Sequence, residues 1–209
     1  MKKYYQNSLL FILVLIIILI STITSFAVTY ESYTYNYWGE PVPAPQAYMP
    51  FKTINGKKIE VGGFDNPRDI IVDQNNNLYI LDTGNNRIVC LNENQEGINI
   101  IKSFTNKGKK DTFKNPRGIA IEDDKIYIAD MGNYRIIVLD IQGNFLKEIN
   151  SIAAEWVFEK DYKFKPKKIA VDKFSNIYVI AKGEYNGIMV LDKHGEFKGF
   201  IGAPQVVPN

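Results

Sequence analysis

One pattern occurs three times at almost constant spacing, and this repeat limits the fold more than any other feature of the sequence. The tripeptide Asn66-Pro67-Arg68 returns as Asn115-Pro116-Arg117 and, in weaker form, as Lys165-Pro166-Lys167. The three prolines are 49 and 50 residues apart. A period of this length indicates stacked copies of one supersecondary unit rather than one continuous core.

Each period contains four short apolar runs, which in the first copy are Ile70–Val72, Leu78–Ile80, Ile88–Leu91 and Ile98–Phe104. Such runs are rich in Ile, Val, Tyr and Phe, are bounded by Gly, Asn and Asp, and are too short for helices. Four antiparallel strands in about 40 to 50 residues form a propeller blade, which needs neighbours to cover its faces. We therefore predict an all-β chain with blades over residues 64–104, 105–149 and 150–201.

A second shared pattern lies between the second and third runs of each copy. Asp82-Thr83-Gly84-Asn85-Asn86-Arg87 matches Asp130-Met131-Gly132-Asn133-Tyr134-Arg135, whereas residues 181–187 keep the spacing without the charges. With the preceding Pro-Arg and Ile-Tyr-Ile elements, this pattern resembles the NHL repeat of six-bladed β-propellers. The resemblance covers roughly residues 64–201 and implies an NHL-type propeller. The segment that begins Tyr37-Trp38-Gly39 also resembles the leader of bacterial extracytoplasmic members of that family. Those members are longer than this chain.

The length of the chain predicts an incomplete ring. After Ala27 there are 182 residues, fewer than four blades at this spacing, whereas closed propellers typically have four to eight. We expect an open arc of about three blades, closed by missing blades or by a partner, and we interpret residues 202–209 as a truncated connector. Asn55-Gly56 favours a type I′ turn, so we predict a hairpin over residues 51–63.

The amino-terminal segment predicts export. Lys2 and Lys3 precede an apolar run from Leu9 to Ile20 and a small-residue pattern that ends at Ala27. Residues 1–27 thus favour a signal peptide, with an uncleaved apolar anchor helix as the alternative. In both cases the rest of the chain is secreted or lies on the outer face of the cytoplasmic membrane, and it contacts the membrane only through this segment.

Residues 28–50 differ from the rest of the chain in composition, because they are rich in tyrosine and proline. Tyr33, Tyr35 and Tyr37 alternate, which predicts an extended strand with rings on one side, and the prolines that follow favour a stiff connector. We interpret the segment as a tether. A platform for carbohydrate or a partner protein is the alternative, because amphipathic rings can bind such ligands.

Charge and rare residues exclude several classes of site. The 25 basic and 23 acidic residues are too evenly matched for a nucleic-acid binder, so we interpret the lysine cluster over residues 160–168 as a solvated loop that touches wall polymer or anionic lipid. Cys90 is the only cysteine and His194 the only histidine, which excludes a disulfide and the usual zinc sites. We expect Cys90 buried and His194 exposed in a turn. We expect no metal and no cofactor.

Asp73-x-Asn75-x-Asn77 begins like a calcium-binding loop but lacks the later ligands of such a loop, so we predict that it is a turn.

The repeated turn supplies the candidate site residues. We predict that it is structural, with Arg paired to Asp, glycine at positive φ, and Asp and Asn accepting backbone donors; its members are Asp82, Gly84, Asn85, Asp130, Gly132 and Asn133. The arginines on one propeller face remain the candidates for a ligand face, namely Arg68, Arg87, Arg117 and Arg135. We name no catalytic residue.

These observations predict an extracytoplasmic binding or scaffold module that recognises a protein or cell-envelope component through its propeller face. Two alternatives stay open. Metal-dependent lyases and lactonases resemble NHL propellers, so the chain could be part of such an enzyme whose remaining blades are missing. The other alternative is a surface protein with a purely structural role.

Overall fold

Regular structure in this chain is β-sheet apart from one short 3-10 turn, Met131–Asn133, in the described residues. The computed structural model describes residues 32–44, 52–150, 152, 158 and 162–202, in two compact units, Met1–Thr53 and Ile54–Asn209. No helix within these ranges is both long enough and apolar enough to cross a membrane. The all-β prediction is confirmed. The predicted signal or anchor over residues 1–27 and residues 203–209 of the predicted connector lie outside the described residues.

The amino-terminal unit contains a small hairpin. Strand β1 (Tyr33–Tyr35) pairs antiparallel with β2 (Pro41–Pro43), and the Asn36 side-chain oxygen closes the turn by accepting the backbone N–H groups of Trp38 and Glu40. The predicted extended strand is present for Tyr33 and Tyr35, whereas Tyr37 lies in the turn; all three rings are exposed. The predicted stiff connector is wrong for Pro41–Pro43, because these residues form a paired strand. Residues 28–31 and 45–50 of the predicted linker lie outside the described residues.

The second unit contains three four-stranded antiparallel sheets whose strands follow each other in chain order. Blade 1 is β3 (Pro67–Val72), β4 (Leu78–Asp82), β5 (Arg87–Leu91) and β6 (Gly97–Ile101); blade 2 is β9 (Gly118–Glu122), β10 (Lys125–Asp130), β11 (Arg135–Asp140) and β12 (Phe145–Ile149); blade 3 is β13 (Pro166–Val171), β14 (Ile177–Ala181), β15 (Ile188–Leu191) and β16 (Phe197–Ile201). A further hairpin, β7 (Ser103–Asn106) with β8 (Lys109–Thr112), lies between blades 1 and 2 in sequence. The predicted boundary between residues 104 and 105 is therefore wrong, because it divides β7.

The blades pack face to face, as expected for sheets whose two faces are both apolar. Successive residues of a strand point to opposite faces, so each blade offers one face to the blade before it and the other to the blade after it. At the first junction, Leu81 and Ile88 of blade 1 pack with Ile128 and Ile137 of blade 2. At the second junction, blade 2 packs with blade 3 through Ala120, Tyr127, Ala129, Ile136, Val138, Ile169, Ile177, Val179, Met189 and Leu191. The middle blade is thus covered on both sides.

We call the first strand of each blade, β3, β9 or β13, its inner strand. A connecting segment precedes each inner strand, and we call these segments straps: strap 1 is residues 54–66, strap 2 is 102–115 and strap 3 is 150–165. Each strap carries a phenylalanine just before its blade begins, Phe64, Phe113 or Phe164. Phe113 and Phe164 belong to the cores of the first and second junctions, and Phe64 packs on the free face of blade 1. The straps therefore fill the edges of the junctions.

The hairpin predicted over residues 51–63 is wrong in the described part, residues 52–63. The N–H groups of Lys58 and Ile59 both bond to the Asn55 carbonyl, and that of Val61 bonds to the Gly56 carbonyl, so the segment is a series of turns without paired strands. The reason is tertiary, because strap 1 places its apolar side chains, Ile54, Ile59, Val61 and Phe64, against blade 1. Alternating strands could not point all of them to one side.

Cys90 provides a probe of the first junction. Its side chain is 1% exposed, and burial raises the pKa of its thiol to about 12. We expect a thiol reagent at pH 8 to label Cys90 in the folded chain at least about a hundred times more slowly than in concentrated guanidinium, because the thiolate is the reactive form. Labelling at equal rates in both conditions would contradict the packing of blades 1 and 2.

Candidate functional site

The repeated turn forms a buried latch, which in blade 1 consists of Asp82, Asn85 and Arg87. Asp82 is completely buried. Its Oδ1 accepts the backbone N–H of Asp65 at 2.7 Å, and its Oδ2 accepts Arg87 Nε at 2.7 Å and Asn85 Nδ2 at 2.8 Å. The carboxylate therefore joins strap 1 to the end of β4 and the start of β5.

The arginine of the latch binds the strap directly. Arg87 Nη1 donates to the carbonyl oxygen of Val61 at 2.7 Å, and its Nη2 donates to that of Gly63 at 2.9 Å. Only 5% of the residue is exposed. Because every bonded group belongs to blade 1 or to its own strap, Arg87 is a structural residue.

Blade 2 repeats this latch with its own strap. Asp130 accepts the N–H of Lys114 at 2.7 Å with one oxygen, and with the other it accepts Arg135 Nε and Asn133 Nδ2, both at 2.9 Å. The Arg135 guanidinium also forms two bonds to the Asp111 carboxylate, at 2.7 and 2.9 Å. This charged bond holds the pKa of Asp111 below its usual value.

The predicted structural turn is thus found, with arginine paired to aspartate in both copies, but two details of the prediction are wrong. Arg87 and Arg135, 5% and 7% exposed, cannot present a ligand face, because they are buried and fully engaged with straps and carboxylates. Gly84 and Gly132 do not have positive φ; Asn86 and Tyr134 take the left-handed conformation instead, at φ 48° and 59°.

The strap passes so close to the turn in blades 1 and 2 that only glycine fits at Gly84 and Gly132. Gly84 N–H donates to the Asp65 carbonyl at 2.9 Å, and Gly132 N–H donates to the Lys114 carbonyl at 2.8 Å. A Cβ on Gly84 would collide with the Asp65 backbone and carboxyl group, and one on Gly132 would collide with the Lys114 carbonyl. Blades 1 and 2 therefore need glycine where the strap crosses the turn.

Blade 3 keeps the spacing of the turn and loses the charges, and its contact with the strap is different. Ala181 stands where blades 1 and 2 have aspartate, and Lys182 N–H, rather than that of the aligned Gly183, donates to the Lys165 carbonyl at 2.8 Å. In strap 3 the rings of Phe158 and Tyr162 pack together with their centroids 4.4 Å apart, and Phe164 is buried. The described aromatic residues of strap 3 thus make apolar contacts.

The two remaining arginines, Arg68 and Arg117, lie where β3 and β9 begin. Asp69 connects these strands, because its Oδ2 accepts the N–H of Ile119 at 3.0 Å and its Oδ1 pairs with Lys168 Nζ at 2.9 Å. Lys168 Nζ also approaches the Arg68 carbonyl at 3.4 Å. The starts of β3, β9 and β13 are therefore neighbours. We call this surface the basic end and define it by Arg68, Arg117, Lys167 and Lys168.

The basic end has more accessible cations than accessible anions. Arg68 and Lys167 are exposed, and Arg117 is half-buried with its Nε donating to the Asn115 side-chain oxygen at 3.0 Å. Two carboxylates lie near these four cations: Asp69, which already pairs with Lys168, and Asp65, which is exposed just before β3. The aspartates of both latches are buried. This end therefore presents a net positive surface.

The other ends of the same inner strands are acidic. The turns that follow β3, β9 and β13 contain Asp73, Asp123 with Asp124, and Asp172, and Glu122 is the last residue of β9. Hydrogen bonds from the side chain and the backbone of Asn176 hold the pKa of Asp172 below its ordinary value, so this carboxylate stays charged. The predicted turn at Asp73 is confirmed, since its Oδ1 accepts the N–H groups of Asn75 and Asn77, each at 2.8 Å.

Sequence reasoning named Arg68 and Arg117 as candidates for a ligand face, and both lie at the basic end, but it did not include Lys167 and Lys168. The signal was present, because Pro166-Lys167 aligns with Pro67-Arg68 in the repeat. His194 is exposed in the turn between β15 and β16, as predicted. Among the residues that the structure describes, no three side chains of His, Cys, Asp and Glu lie close enough to hold a metal ion.

The latch and the basic end predict different responses to mutation. We expect Arg135→Met to lower the free energy of unfolding by about 3 to 5 kcal/mol, because Asp130 would stay buried without its charge partner. The matched change Arg68→Met should stay within about 0.5 kcal/mol, since Arg68 is exposed. Urea denaturation followed by circular dichroism measures both values. Equal losses in the two variants would contradict a structural role specific to Arg135.

Comparison with known proteins supports this architecture. The sequence model of the NHL repeat matches residues 64–91, which run from the end of strap 1 through β5. No curated protein matches the chain by sequence. A solved structure of a nidogen/laminin complex is similar, with 18% identity and a TM-score of 0.52 over 70% of this chain and 50% of that chain. The gluconolactonase XC5397 from Xanthomonas campestris has 14% identity and a TM-score of 0.50 over 82% of this chain and 55% of that chain.

This chain therefore spans about half the length of the solved structures it matches. At such low identity the likeness shows the fold alone. The laminin complex and the gluconolactonase activity named for those structures belong to those proteins.

Proposed function

Because this chain is an NHL-repeat β-propeller, we propose that it is a binding module on the outside of the cell that holds an anionic cell-envelope component at its basic end. The observation that carries the proposal is the convergence of Arg68, Arg117 and Lys167 at the starts of three adjacent inner strands, beside a carboxylate, Asp69, that is already paired. The lysines and apolar run of residues 1–27 support export, which brings this surface into contact with the envelope.

The chemistry of the basic end suits carboxylate or phosphate groups. A guanidinium can form two parallel hydrogen bonds to either group, and it remains charged at any physiological pH. Arg68 and Lys167 stand at strand starts rather than in long loops, so their backbones are held by the sheets. Several such contacts made at once by a polymer give useful affinity, although each exposed ion pair contributes little.

Charge reversal tests the proposal on the full chain. We expect the double variant Arg68→Glu with Lys167→Glu to bind poly(glycerol phosphate) or poly-L-glutamate at least about tenfold more weakly, and we expect binding by the unaltered chain to weaken as salt rises. Isothermal titration calorimetry gives the affinities. The two probes distinguish a phosphate-bearing polymer from a carboxylate-bearing one.

The matched control is Lys173→Glu with Lys193→Glu, which changes the net charge equally. Both residues are exposed, in the turns that follow β13 and β15 respectively. The control should bind as the unaltered chain does. If both double variants lose affinity equally, attraction depends on net charge alone and the basic end is not the site; if neither probe binds the unaltered chain, the proposed ligand class is wrong.

A further inference from the structure

A cavity of about 480 Å³ lies at the junction between blades 2 and 3, where β10 and β14 begin, and away from the strand starts that form the basic end. Its volume is within the range of about 300 to 1,000 Å³ that is typical of small-molecule sites. Apolar side chains from both blades form most of its wall, namely Tyr127, Val138, Leu146, Ile149 and Ile177. Both walls belong to a junction that lies inside the set of three blades.

The polar residues around this cavity differ from those at the same positions of the first junction. Four residues that line the cavity are lysine or histidine, and their repeat equivalents at the first junction are uncharged; the pairs are Lys125 with Asn77, Lys147 with Asn99, Lys193 with Ile141 and His194 with Gln142. A feature that every junction needs would be present at both. The basic residues are therefore not explained by the packing that all blades share.

The tyrosine at this junction has also lost its usual contact. In blades 1 and 3 the hydroxyl of the repeated tyrosine donates to the aspartate that opens the preceding turn; the pairs are Tyr79 with Asp73, at 3.3 Å, and Tyr178 with Asp172, at 3.0 Å. Blade 2 has a shorter turn at this place, and Tyr127 lies beside Ser175 of blade 3 instead. Both residues line the cavity, so two hydroxyl groups are added to its wall.

Lys147 is the cation of the cavity that most needs a partner. It is half-buried in β12, and its Nζ donates to the Lys193 carbonyl at 3.0 Å. In the ranges that the structure describes, no carboxylate lies within ion-pair distance of this ammonium group. Burial lowers the pKa of Lys147, because its charge is partly removed from water. An ammonium group has three N–H donors, and only one is used here.

The carboxylates around the cavity are already engaged with other lysines. The ion pairs are Asp192 with Lys198 at 2.9 Å, Glu196 with Lys198 at 3.5 Å and Asp123 with Lys125 at 2.7 Å. An acidic ligand can therefore pair with Lys147 without breaking any of these contacts. The apolar wall would receive the rest of such a ligand.

We propose that this cavity binds a small apolar molecule that carries one carboxylate. The carboxylate pairs with Lys147, the hydroxyl groups of Tyr127 and Ser175 supply uncharged donors, and the apolar body lies against the wall. A charged hydrogen bond is stronger in such a partly desolvated site than on an open surface. The ligand is distinct from the polymer proposed for the basic end, because the cavity holds one small molecule and opens at a different end of the blades.

Isothermal titration calorimetry of the full chain with 2-naphthoate tests the proposal, and 2-naphthylmethanol serves as its uncharged analogue of similar shape. We expect Lys147→Met to weaken binding of the acid at least about tenfold and binding of the alcohol less than about twofold, because only the acid uses the charge. Lys173→Met is the matched control, since Lys173 is exposed in the turn after β13 and does not line the cavity. It should bind both compounds as the unaltered chain does.

Decanoate, titrated into the same variants, distinguishes an alkyl from an aromatic body. Binding of either acid with the expected dependence on Lys147 supports the proposal. Failure of both acids to bind at about 1 mM would overturn it. Equal losses for acid and alcohol in Lys147→Met would also overturn it, because the lysine would then have a structural role, and so would equal losses of the acid in Lys147→Met and Lys173→Met.

Competition separates this cavity from the basic end. We expect excess poly(glycerol phosphate) to leave binding of 2-naphthoate unchanged. Displacement of the acid by the polymer would locate it at the basic end, which would overturn this inference and leave the function proposed above intact. Circular dichroism checks that each variant is folded, and Lys147→Gln replaces Lys147→Met if that variant is not.

Discussion

A four-stranded sheet with two apolar faces is not stable alone, and this constraint governs the whole molecule. Each blade turns one face toward the blade before it and one toward the blade after it, so the chain must repeat the same unit in order to bury any of them. Blade 2 is covered on both sides, by Leu81 and Ile88 of blade 1 and by Ile177 and Met189 of blade 3. The structure has no single core, because the stabilising contacts lie between blades.

The latch extends this arrangement from the sheets to the connecting segments. A buried carboxylate such as Asp82 loses hydration, and Arg87 together with the Asp65 amide replaces that hydration with fixed hydrogen bonds. Each strap is thereby held at the edge of its own blade. The same geometry leaves the starts of the inner strands free, so the structural charges are inside and the charges available to a ligand, Arg68 and Lys167, are outside.

Turn chemistry was the least reliable guide to the path of the chain. Asn55-Gly56 is a strong local signal for a hairpin, yet strap 1 forms turns because its apolar residues gain more by packing on blade 1. A real hairpin, β7 with β8, instead turns at Lys107 and Gly108, both at positive φ, where the sequence gives a weak signal. Burial of the segment decided both outcomes, and local propensity did not.

The sequence by itself determined the three four-stranded blades and the pairing of Asp with Arg, because short apolar runs and repeated turns are local patterns that recur every 49 to 50 residues. It could not separate Arg87 from Arg68, since both are arginines at regular repeat positions. Only the tertiary structure decided that one is buried under a strap while the other faces water. The physical reason is that burial depends on which segment crosses over a residue, and the straps that make those crossings come from positions more than twenty residues away.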